Sequence, residues 1–208
     1  MSDFSLRFAV EDARVLEREV GYQGFFRLDR LRLQHRLFDG GWSAPFTREL
    51  FERGDAVAVL PWDPVRDELI LVEQFRAGAL RGQDSPWMLE LVAGIVSEGE
   101  SDESVAHREA LEEAGCQLDR LVPIATFYPS AGACSEQIRT FMGRVVSAGV
   151  GEVHGLDDEH EDLLVHAIPR TQALGMLDAN EINNGHTLIA LQWLARHGEA
   201  LRRQWLKD

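Results

Sequence analysis

The sequence predicts an α/β (α+β) fold with a mixed β-sheet, preceded by a small antiparallel β lobe. Three features of the 208-residue chain indicate this arrangement. The N-terminal quarter alternates apolar and polar residues, the middle has apolar strand-like segments on both sides of one helical segment, and the C-terminal quarter is helical. With 45% hydrophobic residues the chain is able to bury a core of this kind.

The small lobe is predicted at residues 1–53. Residues 14–37 alternate in polarity, as expected for antiparallel strands, and Asp39-Gly40-Gly41 is typical of the turn that follows. A further extended segment is predicted at residues 43–52. The second domain then begins at Gly54 and continues to the end of the chain.

The second domain is predicted to contain six strands and three helices. The strands are expected at residues 56–60, 68–75, 88–93, 121–127, 137–146 and 163–168. The helices are expected at residues 104–114, 170–177 and 185–197. A hairpin turn is expected at residues 63–67, where the sequence is Asp-Pro-Val-Arg-Asp. The apolar stripe of the last helix predicts core or dimer packing.

Charge and composition exclude several classes of protein. Lys and Arg number 21 against 35 Asp and Glu, a net charge of -14, which disfavours a nucleic-acid or anionic-membrane binder. The N-terminal residues do not resemble a secretory signal, and no run approaches the roughly 18 apolar residues of a membrane helix. We therefore expect a cytoplasmic protein. Cys116 and Cys134 form no C-x-x-C motif and are expected to be free thiols.

The stretch from residue 94 to residue 116 is the most informative part of the sequence. Seven residues fit the pattern G-x5-E-x7-R-E-U-x-E-E-x-G-U, where U is apolar: Gly94, Glu100, Arg108, Glu109, Glu112, Glu113 and Gly115. With each residue type at a frequency of about 7%, seven fixed positions match by chance in about one register in 10^8. The pattern is therefore a specific signal.

The pattern predicts a helix with one acidic face. Residues 104–114 contain no Gly or Pro, and Gly115 is typical of a left-handed C-terminal cap. At 100° per residue, three carboxylates fall within an arc of roughly 100°: Glu109, Glu112 and Glu113. Like charges this close repel one another, so the arc predicts a bound cation, and carboxylate oxygens favour Mg2+ or Mn2+. A solvated acidic face is the alternative.

Two further positions of the pattern are predicted to be structural. An ion pair between Arg108 and Glu100 would hold the preceding loop against the helix. Gly94 is interpreted as the point at which the chain turns sharply out of a strand.

The pattern is the Nudix box, and the chain resembles Nudix hydrolases. The likeness to one group within them, the bacterial ADP-ribose pyrophosphatases, extends over nearly the whole length. The segments that carry it are residues 24–26, 48–54, 63–68, 73–76, 154–162 and 189–194. The resemblance implies the Nudix α/β/α sandwich and hydrolysis of a diphosphate.

The resemblance also implies the roles of the metal site. Two or three Mg2+ ions, or Mn2+ in their place, would be bound by Glu109, Glu113, the backbone carbonyl of Ala93 and Glu161. Glu112 is a further candidate ligand. Glu159 would be the general base, on an acidic loop whose alternative interpretation is a solvated loop or a Ca2+ site.

The same resemblance implies a set of substrate contacts, some from a second subunit of a homodimer. They are Phe25, Phe26, Arg48, Glu49, Arg53, Arg76, Ile95, Ser130 and Glu136. One departure is the order Pro129-Ser130-Ala131-Gly132 where the family often has Ser-Pro-Gly. A shifted proline changes which residue has a fixed backbone, so other nucleoside diphosphate sugars remain open as substrates.

The implied function is Mg2+-dependent hydrolysis of ADP-ribose to AMP and ribose 5-phosphate. One alternative is a Nudix hydrolase for another nucleotide sugar, such as GDP-mannose. Another is a non-catalytic ADP-ribose sensor, which would normally carry a basic helix-turn-helix and a degraded box.

Overall fold

A computed structural model describes residues 4–82, 85–155 and 161–207. The chain divides into two compact units. The first contains Met1–Gly54 together with Ser130–Glu136, and the second contains Asp55–Pro129 together with Gln137–Asp208. The first unit thus contains a second segment, Ser130–Glu136, that lies far along the chain from its first. The two units are therefore not separated by a single division near residue 54.

The first unit is a three-stranded antiparallel sheet, as predicted. Its strands are β1 (Ala13–Gln23), β2 (Arg27–His35) and β3 (Phe46–Glu52), in the order β1-β2-β3. Residues 130–136 extend this sheet at β3, where the Phe51 amide donates to the Ala133 carbonyl and the Ser135 amide donates to the Phe51 carbonyl.

A charged residue, rather than an apolar core, lies at the centre of this sheet. Asp29 is fully buried in β2 and pairs with Arg18 of β1 and with Arg27. Burial alone would raise the pKa of the Asp29 carboxyl, but its hydrogen bonds to the two guanidinium groups outweigh burial and lower that pKa. All eleven residues of β1 are exposed, including Val15, Val20 and Tyr22.

The second unit is built on an eight-stranded mixed sheet. Its strands are β4 (Ala56–Asp63), β5 (Glu68–Phe75), β6 (Trp87–Glu90), β7 (Val92–Ile95), β8 (Arg120–Phe127), β9 (Ile138–Arg144), β10 (Val153–His154) and β11 (Leu163–Pro169). The main order is β10-β11-β5-β4-β9-β8, while β6 pairs with β5 and β7 pairs with β4. Only the β4 and β9 pair is parallel among these described strands.

Helices cover both faces of this sheet, so the predicted layer order is confirmed. Alternate residues of β4 point to opposite faces. Val57 and Val59 pack with α1 (Asp102–Ala114), whereas Leu60 and Trp62 pack with α2 (Arg170–Asp178) and α3 (Gly185–Trp205). The sheet is therefore the middle layer of an α/β/α arrangement.

Helix α3 and the strand predicted at residues 88–93 depart most from their predicted extents. Helix α3 continues to Trp205 and therefore includes Gly198. A Cβ atom at residue 198 would lie 2.8 Å from the Leu194 side chain, so close packing accounts for a glycine inside the helix. The strand predicted at 88–93 is two strands, β6 and β7. They separate at Leu91, whose amide donates to the Thr187 hydroxyl at 3.2 Å instead of to a neighbouring strand.

Both cysteines are free thiols, and burial raises the pKa of Cys116 to about 11. No helix in the described part of the chain is long and apolar enough to span a membrane.

Asp63 is expected to stabilise the β4–β5 turn through four hydrogen bonds. One carboxylate oxygen accepts from the amides of Val65 and Arg66, and the other accepts from the amide and hydroxyl of Ser147. These bonds outweigh burial and lower the pKa of Asp63. We predict that Asp63→Ala lowers the free energy of unfolding by about 2–4 kcal/mol at pH 7 in urea titrations.

The depressed pKa fixes the pH dependence of this effect. A carboxyl with a lowered folded-state pKa stabilises the fold above its ordinary pKa of about 4 and loses that contribution as pH falls through the folded value. The difference between the wild type and Asp63→Ala should therefore shrink below pH 4. Asp39→Ala, in an exposed turn, is the control and should match the wild type. An equally stable Asp63→Ala variant would contradict this assignment.

Candidate active site

Helix α1 carries the acidic face, and Arg108 organises it. Ser101 caps the start of the helix, and Gly115 ends it in the left-handed conformation (φ 60°), as predicted. The Arg108 Nε donates to Glu100 at 3.0 Å, which confirms the predicted ion pair. The same guanidinium donates from Nη1 to Glu109 at 2.7 Å and to Glu112 at 3.1 Å. One cation therefore holds three carboxylates.

Glu113 is the most deeply buried carboxylate of the helix, with 2% of its surface exposed. Its Oε2 accepts a hydrogen bond from the Ala93 amide of β7 at 3.0 Å. Burial raises the pKa of Glu113 to about 8, although this hydrogen bond and the positive charge of Arg76 both act to lower it. Without a cation, burial therefore favours the protonated form of this side chain at neutral pH.

Glu109 lies directly against the backbone of Gly94. A Cβ atom at residue 94 would be only 1.6 Å from the Glu109 Oε1. Gly94 is inside strand β7, and its φ is not positive, so the interpretation of Gly94 as a turn residue is wrong. The glycine is needed because the carboxylate occupies the space of a side chain. Burial raises the pKa of Glu109, against the effect of Arg108.

Glu161 adds negative charge to the same region. Its charge raises the pKa of both Glu109 and Glu113 in addition to the larger effect of burial, so the three carboxylates interact electrostatically. Gly155 (φ 111°) allows a close approach, since a Cβ there would lie 2.7 Å from the Glu161 carbonyl oxygen. Glu159, the predicted general base, lies outside the described residues.

The donor set suits a hard divalent cation. Glu113 is buried and Glu109 half-buried beside one strand, burial raises the pKa of both carboxyls, and carboxylate oxygens are the ligands that Mg2+ and Mn2+ prefer. Among the residues that the structure describes, no three acidic, histidine or cysteine side chains are gathered as a complete metal site. Arg108 pairs with Glu109 at 2.7 Å and with Glu112 at 3.1 Å.

Arg76 follows the end of β5 and faces this acidic region. Its Nε and Nη2 donate to Glu90 Oε2 at 3.0 and 2.8 Å, and its side chain remains half-exposed. Glu90 is 1% exposed and also accepts from the Asn184 side chain at 2.8 Å. Sequence reasoning missed Glu90 and Asn184; a charged residue inside an apolar strand segment was the available signal.

The other proposed substrate residues lie in the first unit, apart from Ile95, which is half-buried in β7. Phe25 is 88% exposed and makes an edge contact with Phe26. Phe26 in turn contacts Phe51, and the Arg53 guanidinium lies 5.3 Å from its ring centre. An exposed aromatic surface next to a cation is chemically suited to a planar ring.

The remaining residues of the first unit that were predicted to contact substrate vary in exposure. Arg48 is exposed and stacks over Phe46. Glu49 and Ser130 are exposed, whereas Glu136 is buried and pairs with Arg53 at 3.3 Å. The Glu136 carboxylate is therefore held within its own unit.

Comparison with known proteins identifies the class of this protein. Residues 52–191 match the NUDIX domain family. The chain therefore belongs to the Nudix family and is a hydrolase. Members of this family generally use divalent metals such as Mg2+.

Individual relatives resemble the chain over almost its full length. The ADP-ribose pyrophosphatase of Escherichia coli K12 is 46% identical over 198 residues, covering 95% of each chain. That of Haemophilus influenzae is 43% identical over 204 residues, covering 97% of this chain and 94% of its own. A crystal structure of an ADP compounds hydrolase has the same fold, with a TM-score of 0.65 over 92% of this chain and 98% of its own at 19% identity.

A second group of relatives is more distant. The GDP-mannose pyrophosphatase of Citrobacter koseri is 30% identical over 148 residues, which cover 71% of this chain and 76% of its own.

Gly94→Ala is expected to displace Glu109 and weaken divalent-metal binding. The added methyl group would overlap the carboxylate, so the side chain must leave its position beside β7. We predict at least a tenfold loss of Mn2+ affinity in titration calorimetry, since ligand orientation is worth about 10–100-fold in affinity. Gly78→Ala, where an added Cβ meets no atom within 4 Å, is the control. Unchanged Mn2+ binding by Gly94→Ala would show that Glu109 does not bind the metal from this position.

Glu113 is expected to make the metal-free protein less stable as pH rises. Its folded-state pKa of about 8 exceeds the ordinary value of about 4.5, so the native state keeps a proton that the unfolded state releases between these values. Its contribution to the free energy of unfolding therefore falls from pH 5 to pH 8 and stays low above that. We predict that Glu113→Gln, compared in EDTA, is more stable than the wild type at pH 9 by a few kcal/mol, roughly, but not at pH 5.

Added Mg2+ should remove this difference, because a cation bound by Glu113 would replace its proton. Thermal melts with EDTA and with Mg2+ at both pH values test the point, and Glu103→Gln, on the exposed side of the same helix, is the control. A wild type that is as stable as Glu113→Gln in EDTA at pH 9 would argue against a raised pKa.

Proposed function

We propose that this protein hydrolyses ADP-ribose to AMP and ribose 5-phosphate in a reaction that requires Mg2+. The observation that carries the proposal is the position of the buried Glu113 and the half-buried Glu109 beside β7, with the Arg76 charge within electrostatic range of Glu113. The high identity to ADP-ribose pyrophosphatases along almost the whole chain supports ADP-ribose as the substrate.

The proposed metal ligands are Glu109, Glu113, the Ala93 carbonyl and Glu161, with Glu112 as a further ligand, for two or three Mg2+ or Mn2+ ions. Such ions, when bound, neutralise phosphate oxygens and lower the pKa of a coordinated water. Arg108 would then keep its bond to Glu100 and release Glu109. The bidentate Arg108–Glu100 contact is the part of the network that fixes the loop before α1.

Arg76 is proposed to bind the diphosphate. Two of its donors are used by Glu90, which leaves Nη1 and the second hydrogen of Nη2 for phosphate oxygens. Glu159 is proposed to take the proton of the attacking water, which a carboxylate can do once the developing hydroxide is stabilised. Ile95 is proposed to contact the substrate from β7.

The first unit is proposed to bind the adenosine half and to form a homodimer. The exposed ring of Phe25, with Phe26 and Arg53, offers a surface for the adenine face. Arg48, Glu49, Ser130 and Glu136 complete the proposed set. The exposed apolar side chains of β1 support a second copy of the chain as the occupant of that strand. Free thiols fit a cytoplasmic protein.

GDP-mannose is the alternative substrate, and its support is weaker. The relatives that are named for it are less identical and cover less of this chain than those named for ADP-ribose. A non-catalytic sensor is disfavoured because every glutamate of the box is retained.

Product analysis tests the substrate directly. We predict that purified protein with Mg2+ converts ADP-ribose to AMP and ribose 5-phosphate faster than it cleaves GDP-mannose or other nucleoside diphosphate sugars, and that EDTA abolishes the reaction. Chromatography of the products measures both points. Faster cleavage of another sugar nucleotide would refute the proposed substrate, and cleavage in EDTA would refute the metal requirement.

Two substitutions test the proposed roles within the reaction. Glu113→Gln should lower kcat by roughly a thousandfold, since loss of a metal ligand removes several kcal/mol of transition-state stabilisation. Glu159→Gln should lower kcat far more than it raises KM, because a general base acts on the chemical step. Glu103→Gln is the matched control. Normal turnover by either variant would remove that residue from the mechanism.

A further inference from the structure

A buried carboxylate, Glu90, is shared by Arg76 and the start of helix α3. Its Oε2 accepts two hydrogen bonds from Arg76 and a longer one from Gln74 at 3.4 Å. Its Oε1 accepts from the Asn184 side-chain amide at 2.8 Å. The His186 Nε2 lies 4.0 Å from Oε2. Both carboxylate oxygens are therefore engaged by groups from separate elements.

This environment restricts the position of the Arg76 guanidinium. A carboxylate that is 1% exposed is costly unless it is paired and hydrogen-bonded, so its contacts are strongly maintained. Arg76 presents one edge of its planar group, Nε and Nη2, to a single oxygen of Glu90. The opposite edge, which contains Nη1, is thereby turned away from Glu90.

Asn184 is held at both ends of its amide group. Its oxygen caps α3 by accepting from the amide and hydroxyl of Thr187 at 3.2 and 3.1 Å. The Thr187 hydroxyl accepts in turn from the Leu91 amide. The nitrogen of Asn184 then points at Glu90. The first turn of α3 is thus tied to two consecutive residues, 90 and 91, at the break between β6 and β7.

The network ends close to the acidic site. Arg76 is among the groups that lower the pKa of Glu113, against the larger effect of burial, so its charge reaches that carboxylate. Residue 91 is two positions before Ala93, whose amide donates to Glu113. The same short segment therefore contains both Glu90, which holds Arg76, and the Ala93 amide, which donates to Glu113.

We infer that Glu90 and Asn184 are positioning residues that hold Arg76 in the orientation needed to bind the diphosphate. This inference rests on the proposed function, in which Arg76 contacts the substrate. Glu90 acts through Arg76, and Asn184 acts through Glu90. The competing explanation is that the network only fastens α3 to the sheet. If Glu90 positions Arg76, the effect of Glu90 on substrate binding depends on the presence of Arg76. If the network only fastens α3, that effect does not depend on Arg76.

The first measurement is independent of any substrate. Nitrogen-15 NMR of the intact protein detects arginine Nε–H groups, and the Arg76 signal is assigned by its loss in Arg76→Lys. We expect exchange of this hydrogen with water to become at least about tenfold faster in Glu90→Gln, because loss of a hydrogen bond to a charged group is worth about that factor or more. The Arg108 Nε–H signal, bonded to Glu100, is the internal control.

Asn184→Ser isolates the second link. Serine preserves the helix cap, because its hydroxyl can accept from the Thr187 amide, but it removes the donor to Glu90. We expect exchange at Arg76 to be roughly threefold faster in this variant, as expected for loss of one modest hydrogen bond. Asn183→Ser, a change of the exposed neighbouring asparagine, is the matched control and should match the wild type.

The second measurement is a double-mutant cycle in steady-state kinetics with ADP-ribose and Mg2+. We expect Arg76→Ala to lower kcat/KM by about a hundredfold and Glu90→Gln to raise KM by about tenfold. In the Arg76→Ala background, Glu90→Gln should have no further effect, because residues that act through one another are not additive. A purely structural role would lower the active fraction, and so kcat, with KM unchanged.

The outcomes separate the inference from the proposed function. Faster Arg76 exchange, a raised KM and a non-additive cycle support positioning. Wild-type exchange at Arg76 in Glu90→Gln, or an additive cycle, overturns it. If Glu90→Gln does not fold, Asn184→Ser decides between these results. If the wild type does not cleave ADP-ribose, the proposed function fails, and the exchange measurement alone decides whether Glu90 orients Arg76.

Discussion

Two glutamate carboxylates packed against the backbone of a β-strand impose the strictest requirement on this molecule. Glu109 occupies the space of a side chain at Gly94, and Glu113 accepts a hydrogen bond from the Ala93 amide. Burial raises the pKa of both carboxyls. Ionised carboxylates in this position cost free energy and do not stabilise a hydrophobic core. A bound divalent cation would lower that free-energy cost. These two contacts explain the glycine at residue 94 and place Glu109 and Glu113 on the face of α1 that meets β7.

The surrounding fold keeps that contact in place. Ala106 and Ala110 are fully buried, so α1 approaches the sheet closely enough for its glutamates to reach β7. Arg108 pairs with Glu109 and Glu112 and joins the helix to the preceding loop through Glu100. On the opposite side of the sheet, α3 is fastened by Asn184 to the segment that leads into β7. Both helical layers therefore position the same short strand.

Sequence alone predicted the features that depend on neighbouring residues. The α1 helix, its Gly115 cap, the Arg108–Glu100 pair and the β4–β5 hairpin all follow from local spacing. It failed where partners are distant in the chain. Gly94 is set by a helix residue fifteen positions later, and the break at residue 91 is set by Thr187. Helical angle alone does not locate the sheet, since the apolar Leu111 of α1 is 53% exposed.

We propose that a divalent cation replaces a proton on the buried carboxyl of Glu113 when it binds. The most direct test is the number of protons released when Mg2+ binds, from titration calorimetry at pH 7 in buffers of different ionisation enthalpy. A folded-state pKa of about 8 for Glu113 predicts release of close to one proton per chain, and no comparable release from Glu113→Gln. Mg2+ binding with no proton release by the wild type would contradict the account.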